Sequence, residues 1–202
     1  MGTMEFAITS RGDGMEEALK ETEILAVQSG LSKKEILRLR LLAEELFGMM
    51  RGIVGDLEAT YWIEREQKSF SLHLKADLKL DPETRQQLLA VATDGKNEAT
   101  KGFMGKIRAM IAMVLTPQDA GASMLSMGLM SMGSPGGYLA GSEMYNWTMS
   151  QYRAAVENDR ANNAGAAQAW DELEKSIVAN IADEVRVGIM GTQVEIAILK
   201  AF

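Results

Sequence analysis

Apolar and polar residues alternate without a break from Phe70 to Asp81. Phe70, Leu72, Leu74, Ala76, Leu78 and Leu80 fall on one side, and Ser71, His73, Lys75, Asp77, Lys79 and Asp81 on the other. A period of two predicts a half-buried antiparallel strand with one wet face. The chain ends on the same pattern. Val185, Val187 and Ile189 alternate with Glu184, Arg186 and Gly188, Gly191 makes a tight connection, and Val194, Ile196 and Ile198 alternate with Gln193, Glu195 and Ala197. This predicts a closing hairpin. Ala59 to Arg65, rich in Tyr, Trp and Ile, predicts another strand, joined to the one after it by a turn over Glu66 to Ser69. Phe6 and Ile8 mark a short first strand, which Arg11-Gly12-Asp13-Gly14 turns out of.

Between these strands the period changes to that of a helix. Ser32 followed by Glu35 is a capping box. The helix it opens runs to about Val54, with Leu39, Leu42, Ala43, Leu46, Met49, Met50 and Ile53 on one stripe and Glu45 at its edge. Met15 to Ser29 predicts the preceding helix, with Leu19, Ile24, Leu25 and Val27 as its apolar positions and Gly30 as its stop. Further helical stretches are Pro82 to Ala92, Ala99 to Leu115, Met144 to Asn162 and Trp170 to Ile181. A Gly-, Met- and Ser-rich loop spans Gly121 to Gly141, and Asn163 to Gly165 is a break. The order predicts a single domain over residues 1–202. Its class is α+β, a two-layer sandwich whose mostly antiparallel sheet is covered on one face by helices. Residues 82–169 form a helical, Gly/Met-rich insert within it.

Charge and composition narrow the chemistry. The 202 residues carry a formal net charge of −7. Such a chain is repelled by phosphate backbones and anionic lipid, so neither nucleic acid nor a membrane is an expected partner. With no cysteine, disulfides, thiol catalysis and thiolate metal sites are excluded. No apolar run approaches a membrane span, and Met1 to Ser10 lacks the features of a signal peptide. The expected location is the cytoplasm. His73 is the lone histidine, which excludes multi-histidine metal sites and argues against a Ser-His triad; alternating with leucines, it reads as a surface residue. Gly133-Ser134-Pro135-Gly136-Gly137 lacks the lysine-bearing pattern of a phosphate loop. Met124, Met127, Met130 and Met132 repeat at helical spacing and, being adaptable in packing, suggest a core face or a surface for a protein partner.

The closing stretch Asp183-Glu184-Val185-Arg186-Val187, with Gly191, Val194 and Lys200, resembles the last hairpin of anti-sigma-factor serine kinases, of the GHKL ATPase superfamily that includes histidine kinases and gyrase. Leu42-Ala43-Glu44-Glu45-Leu46 resembles that family's N-box helix, and the strand ending Lys75-Ala76-Asp77 the strand leading to its first glycine box. The resemblance covers roughly Phe6 to Asp81 and Trp170 to Phe202. It implies a histidine-kinase-like ATPase fold, with ATP and Mg²⁺ as possible cofactors and a sigma-factor-like or anti-anti-sigma-like protein as partner. A homodimer is a further possibility. Glu45 matches the helix glutamate, a relic catalytic base. Met49 stands where an asparagine would bind Mg²⁺, and a thioether does not suit a hard cation. Asp77 matches the adenine-binding aspartate, but Leu78-Lys79-Leu80 replaces the glycines that follow it, and Asp77 falls on the wet face of its strand. Only Asn162-Asn163-Ala164-Gly165 stands near the second glycine box.

The expectation is a degenerate domain of this type acting as a regulatory protein-binding module, with ATP binding weak or lost. The alternatives are an active kinase or ATPase with Asp94 or Asn97 as substitute metal ligand, and an unrelated α+β scaffold.

Overall fold

The computed structural model describes residues 4–51, 57–78, 103, 107, 111, 137–138 and 144–202. Strands β1 (Phe6–Thr9), β2 (Glu58–Glu66), β3 (Ser69–Asp77), β4 (Gly137–Tyr138), β5 (Met144–Thr148), β6 (Glu184–Met190) and β7 (Gln193–Ala201) form one sheet in the order β1-β2-β3-β7-β6-β5-β4. Every pairing is antiparallel. Helices α1 (Met15–Gln28) and α2 (Lys33–Arg51) follow β1; α3 (Met149–Asp159), α4 (Ala164–Lys175) and α5 (Ile177–Ile181) lie between β5 and β6. The chain is thus the expected α+β sandwich, with both of its ends in one sheet.

Register explains why one face is dry. A single row across the sheet reads Phe6, Tyr61, Leu74, Ile196, Val187 and Trp147, and all six are buried. A second row brings Ile63, Leu72, Ile198 and Val185 together, all fully buried. The apolar stripe of α2 lies in the same cluster, with Leu39, Leu42, Ala43 and Leu46 fully buried. Phe47 meets Tyr61 edge-on at 4.8 Å. Phe103, Ile107 and Ile111, spaced four apart at helical positions, belong to the same cluster, and the Phe103 ring lies beside those of Trp147 and Tyr152.

Local chemistry sets the helix ends. The Ser32 N–H donates to Glu35 at 2.7 Å and Ser32 Oγ accepts from the Glu35 N–H. Hydrogen bonding of Ser32 to the Glu35 carboxylate, from its hydroxyl first and its backbone N–H second, holds that carboxyl below its ordinary range. Gly14, at φ 72°, turns the chain from β1 into α1. A Cβ there would sit 2.2 Å from the Ala7 carbonyl oxygen, so only glycine lets α1 fold back this closely over the strand.

Three expectations change. The buried positions of α1 are Met15, Ala18, Thr22 and Ala26, while Ile24 and Val27 are 38% and 61% exposed. Thr22 belongs inside because its hydroxyl is bonded on both sides. Met144 to Asn162 is a strand followed by a helix: Tyr145 and Trp147 alternate into the core, and Thr148 caps α3 by accepting from the Gln151 N–H. Asn163 to Gly165 starts a helix rather than only breaking one, since Asn163 Oδ1 accepts from the N–H groups of Gly165 and Ala166. Within the stretch expected as insert, β4 and β5 are strands of the common sheet, and α3 and the first half of α4 follow them.

Candidate functional site

Glu45 and Met49 are one helical turn apart on α2. Met49 is 2% exposed and belongs to the core cluster; Glu45, beside it, is half-buried. Asp77, at the end of β3, is exposed. Strand parity places it on the face of His73 and Lys75, away from Phe70, Leu72 and Leu74, which pack toward the helices. Its carboxylate accepts from the Thr192 hydroxyl at 2.5 Å, which ties the end of β3 to the β6–β7 turn. The structure therefore does not bring Asp77 to the side of the sheet on which Glu45 and Met49 lie. Met124, Met127, Met130, Met132, Asp94, Asn97 and the leucine-lysine run after Leu78 lie outside the described residues.

The residues behind the hairpin resemblance make a structural clasp. The Asp183 carboxylate accepts from Lys200 Nζ and from the Ala201 N–H, both at 2.7 Å, and the Asp183 N–H donates to the Leu199 carbonyl. Burial pushes this carboxyl up, but the bonds from Lys200 and Ala201 outweigh it and hold it below its ordinary range.

The chemistry that sequence reasoning missed lies on the sheet face that none of the described helices covers. Trp62 and His73 face each other across β2 and β3 and stack, with centroids 4.7 Å apart and planes 8° from parallel. His73 stands between two carboxylates. Its Nδ1 is 3.2 Å from Glu195 Oε1 on β7, and its Nε2 is 3.8 Å from Glu64 Oε2 on β2. The Trp62 indole N–H donates to the other oxygen of Glu64 at 3.3 Å. His73 is accordingly only 15% exposed, less than a lone surface histidine would be. The Nδ1–H donates to Glu195; Nε2 has no hydrogen-bond partner among the described residues. The turn at Gln67 and Lys68 sets Glu66 opposite Ser69, and counting back pairs Trp62 with His73. That signal was present in the sequence once the turn was placed.

Beside this stack the face is hollow. A depression of about 320 Å³ lies over the middle of β7 and β6. Its floor is low because Gly188 has no side chain and Ala197 a short one. Lys75, Arg186, Asn146 and Glu195 are among its walls. Cations and a carboxylate around an open, partly apolar hollow can hold a ligand; among the described residues no cluster of His, Asp and Glu is arranged to hold a metal ion. Also among the described residues, no helix is long and apolar enough to cross a membrane. No protein-family model matches the chain, and no curated protein or solved structure is similar enough to be matched with it.

Proposed function

We propose that the chain is a cytoplasmic regulatory module of the histidine-kinase-like ATPase type that binds a protein partner and has lost productive Mg-nucleotide binding. The observation that carries the reading is the separation of its two matching carboxylates. A nucleotide site of this type needs the helix glutamate and the strand aspartate to face one cavity. Here Asp77 faces away from the helices, while Met49 lies packed in the core. Sulfur in that position offers a hard cation nothing to bind.

Two features favour the family relation over an unrelated scaffold. The strand, two helices and hairpin that open the chain and the helix and hairpin that close it follow the order the resemblance implies, with β4, β5, α3 and α4 between them, and β1 and β7 share one sheet. The residues of the resembling hairpin, Asp183 and Lys200, are bonded to each other. The active-kinase alternative would require Asp77 and Glu45 on a common face. The partner class implied is a sigma-factor-like or anti-anti-sigma-like protein, and the methionines of the insert are its proposed contact.

Calorimetric titration of the full chain with Mg-ATP and with Mg-ADP tests the loss of nucleotide binding. No saturable heat is expected from either. A micromolar dissociation constant for either nucleotide would overturn the reading.

A further inference from the structure

The backbone of the hollow, on the sheet face opposite the described helices, does not explain its glycine. Gly188 sits in the interior of β6, paired with Glu195 on one side and Asn146 on the other. Its φ is not positive, unlike that of Gly12, Gly14, Gly30 or Gly191. An added Cβ would meet only Asn146 Oδ1, at an ordinary 3.8 Å. Neither conformation nor crowding calls for glycine here. A glycine in a strand interior weakens the strand and commonly marks a place where something else approaches closely. The adjoining Ala197 is likewise short; it is 8% exposed yet stands apart from the core cluster.

The electrostatics point the same way. Lys75 and Arg186 border the hollow from opposite sides of β7. Neither has an ion-pair or hydrogen-bond partner among the described residues. The one carboxylate in the lining, Glu195, is engaged by His73 Nδ1. The hollow is thus locally cationic in a chain whose net charge is −7, and its floor is apolar. A planar guanidinium with no partner among the described residues, beside such a floor, is suited to a carboxylate or phosphate group.

We propose that this hollow is a binding site for a small organic anion, whose carboxylate or phosphate lies between Lys75 and Arg186 and whose apolar body rests on Gly188 and Ala197. The site is on the opposite side of the sheet from α2, so it does not depend on the nucleotide reading, and either can fail without the other.

Amide chemical shifts of the isotope-labelled full chain test it, titrated separately with phenyl phosphate, benzoate, succinate and inorganic phosphate. Saturable shifts at Gly188 and Ala197 are expected, tightest with phenyl phosphate because it supplies both anion and apolar body. Arg186→Gln should weaken that binding about tenfold or more, through loss of a charge-assisted contact. Gly188→Val should abolish it while leaving the unfolding midpoint equal or higher, since a β-branched residue suits a strand. Should Gly188→Val misfold, the Arg186→Gln titration decides. Absence of saturable shifts at these amides with all four probes would overturn the proposal. So would equal binding of phenyl phosphate by wild type and Arg186→Gln, or by wild type and a folded Gly188→Val protein.

Discussion

Thr22 has one hydroxyl hydrogen and gives it to the Ala18 carbonyl at 2.8 Å. The contact of 2.9 Å with Tyr61 Oη must then run the other way, with the tyrosine donating to Thr22 Oγ1. Both side chains are fully buried. Burial also pushes the Tyr61 phenol well above its ordinary range, and the bond to Thr22 only partly offsets this. The asymmetry of donor and acceptor has a consequence for stability. Tyr61→Phe removes a donor and leaves Thr22 bonded to Ala18, so it should cost about 1 kcal/mol. Thr22→Val leaves a phenol hydroxyl buried with no acceptor in place of Thr22 and should cost about 2–3 kcal/mol. In the double variant the orphaned hydroxyl is gone, so the sum of the single effects should exceed the double effect. Urea unfolding of the four proteins checks the cycle; strict additivity would mean that the bond contributes nothing. The same pair shows why periodicity alone does not find the buried face of α1. Periodicity scores a threonine as polar, and only the facing tyrosine, 39 positions away, makes it an interior residue.

At the scale of elements, strands with strict alternation and helices with a capping box were legible from composition and spacing alone. The strand β5 was not. Its five residues offer two buried aromatics in alternation, Tyr145 and Trp147, and then run without glycine or proline into a helix whose buried positions are Met149, Tyr152 and Val156. The boundary is a single cap, Thr148, too slight a signal to divide a continuous apolar stretch. The closing hairpin was legible as two strands, but not as clasped. Asp183 is half exposed, yet it joins the start of β6 to the end of β7 through Lys200 and Ala201. Its carboxyl is held below the ordinary value, so the folded state binds its proton less readily than the unfolded chain. That contribution is complete above the unfolded pKa of about 4 and disappears as pH falls through the lower folded value. Asp183→Asn should therefore be less stable than wild type at neutral pH, and the gap should close in acid below about pH 4. Denaturant midpoints of the two proteins across that range provide the measurement; a gap that stays constant with pH would assign the effect to packing rather than to charge.

For the whole molecule, the deciding feature is how α2 lies on the sheet. The candidate nucleotide residues were legible one at a time, and their parity already set Asp77 on the wet face. What spacing could not give is the depth of Met49, because a stripe position says which way a side chain points and not what space remains beyond it. The face opposite the described helices was hidden for a similar reason: Trp62, His73, Glu195 and Gly188 come from four strands, and only the registers bring them together. Met49→Asn supplies the residue type that the resemblance asks for and so separates the effect of that side chain from that of the architecture around it. If the helix packs as closely as a 2% exposed thioether implies, the amide loses apolar burial and finds no water. The cost should be about 3–5 kcal/mol, a large part of a typical domain's stability. No Mg-ATP binding should appear, because Asp77 still faces away. Urea unfolding and calorimetry on the same preparation check both halves. A Met49→Asn protein that keeps wild-type stability and binds Mg-ATP would show that the cavity persists beneath the helix, and that one side chain alone had closed it.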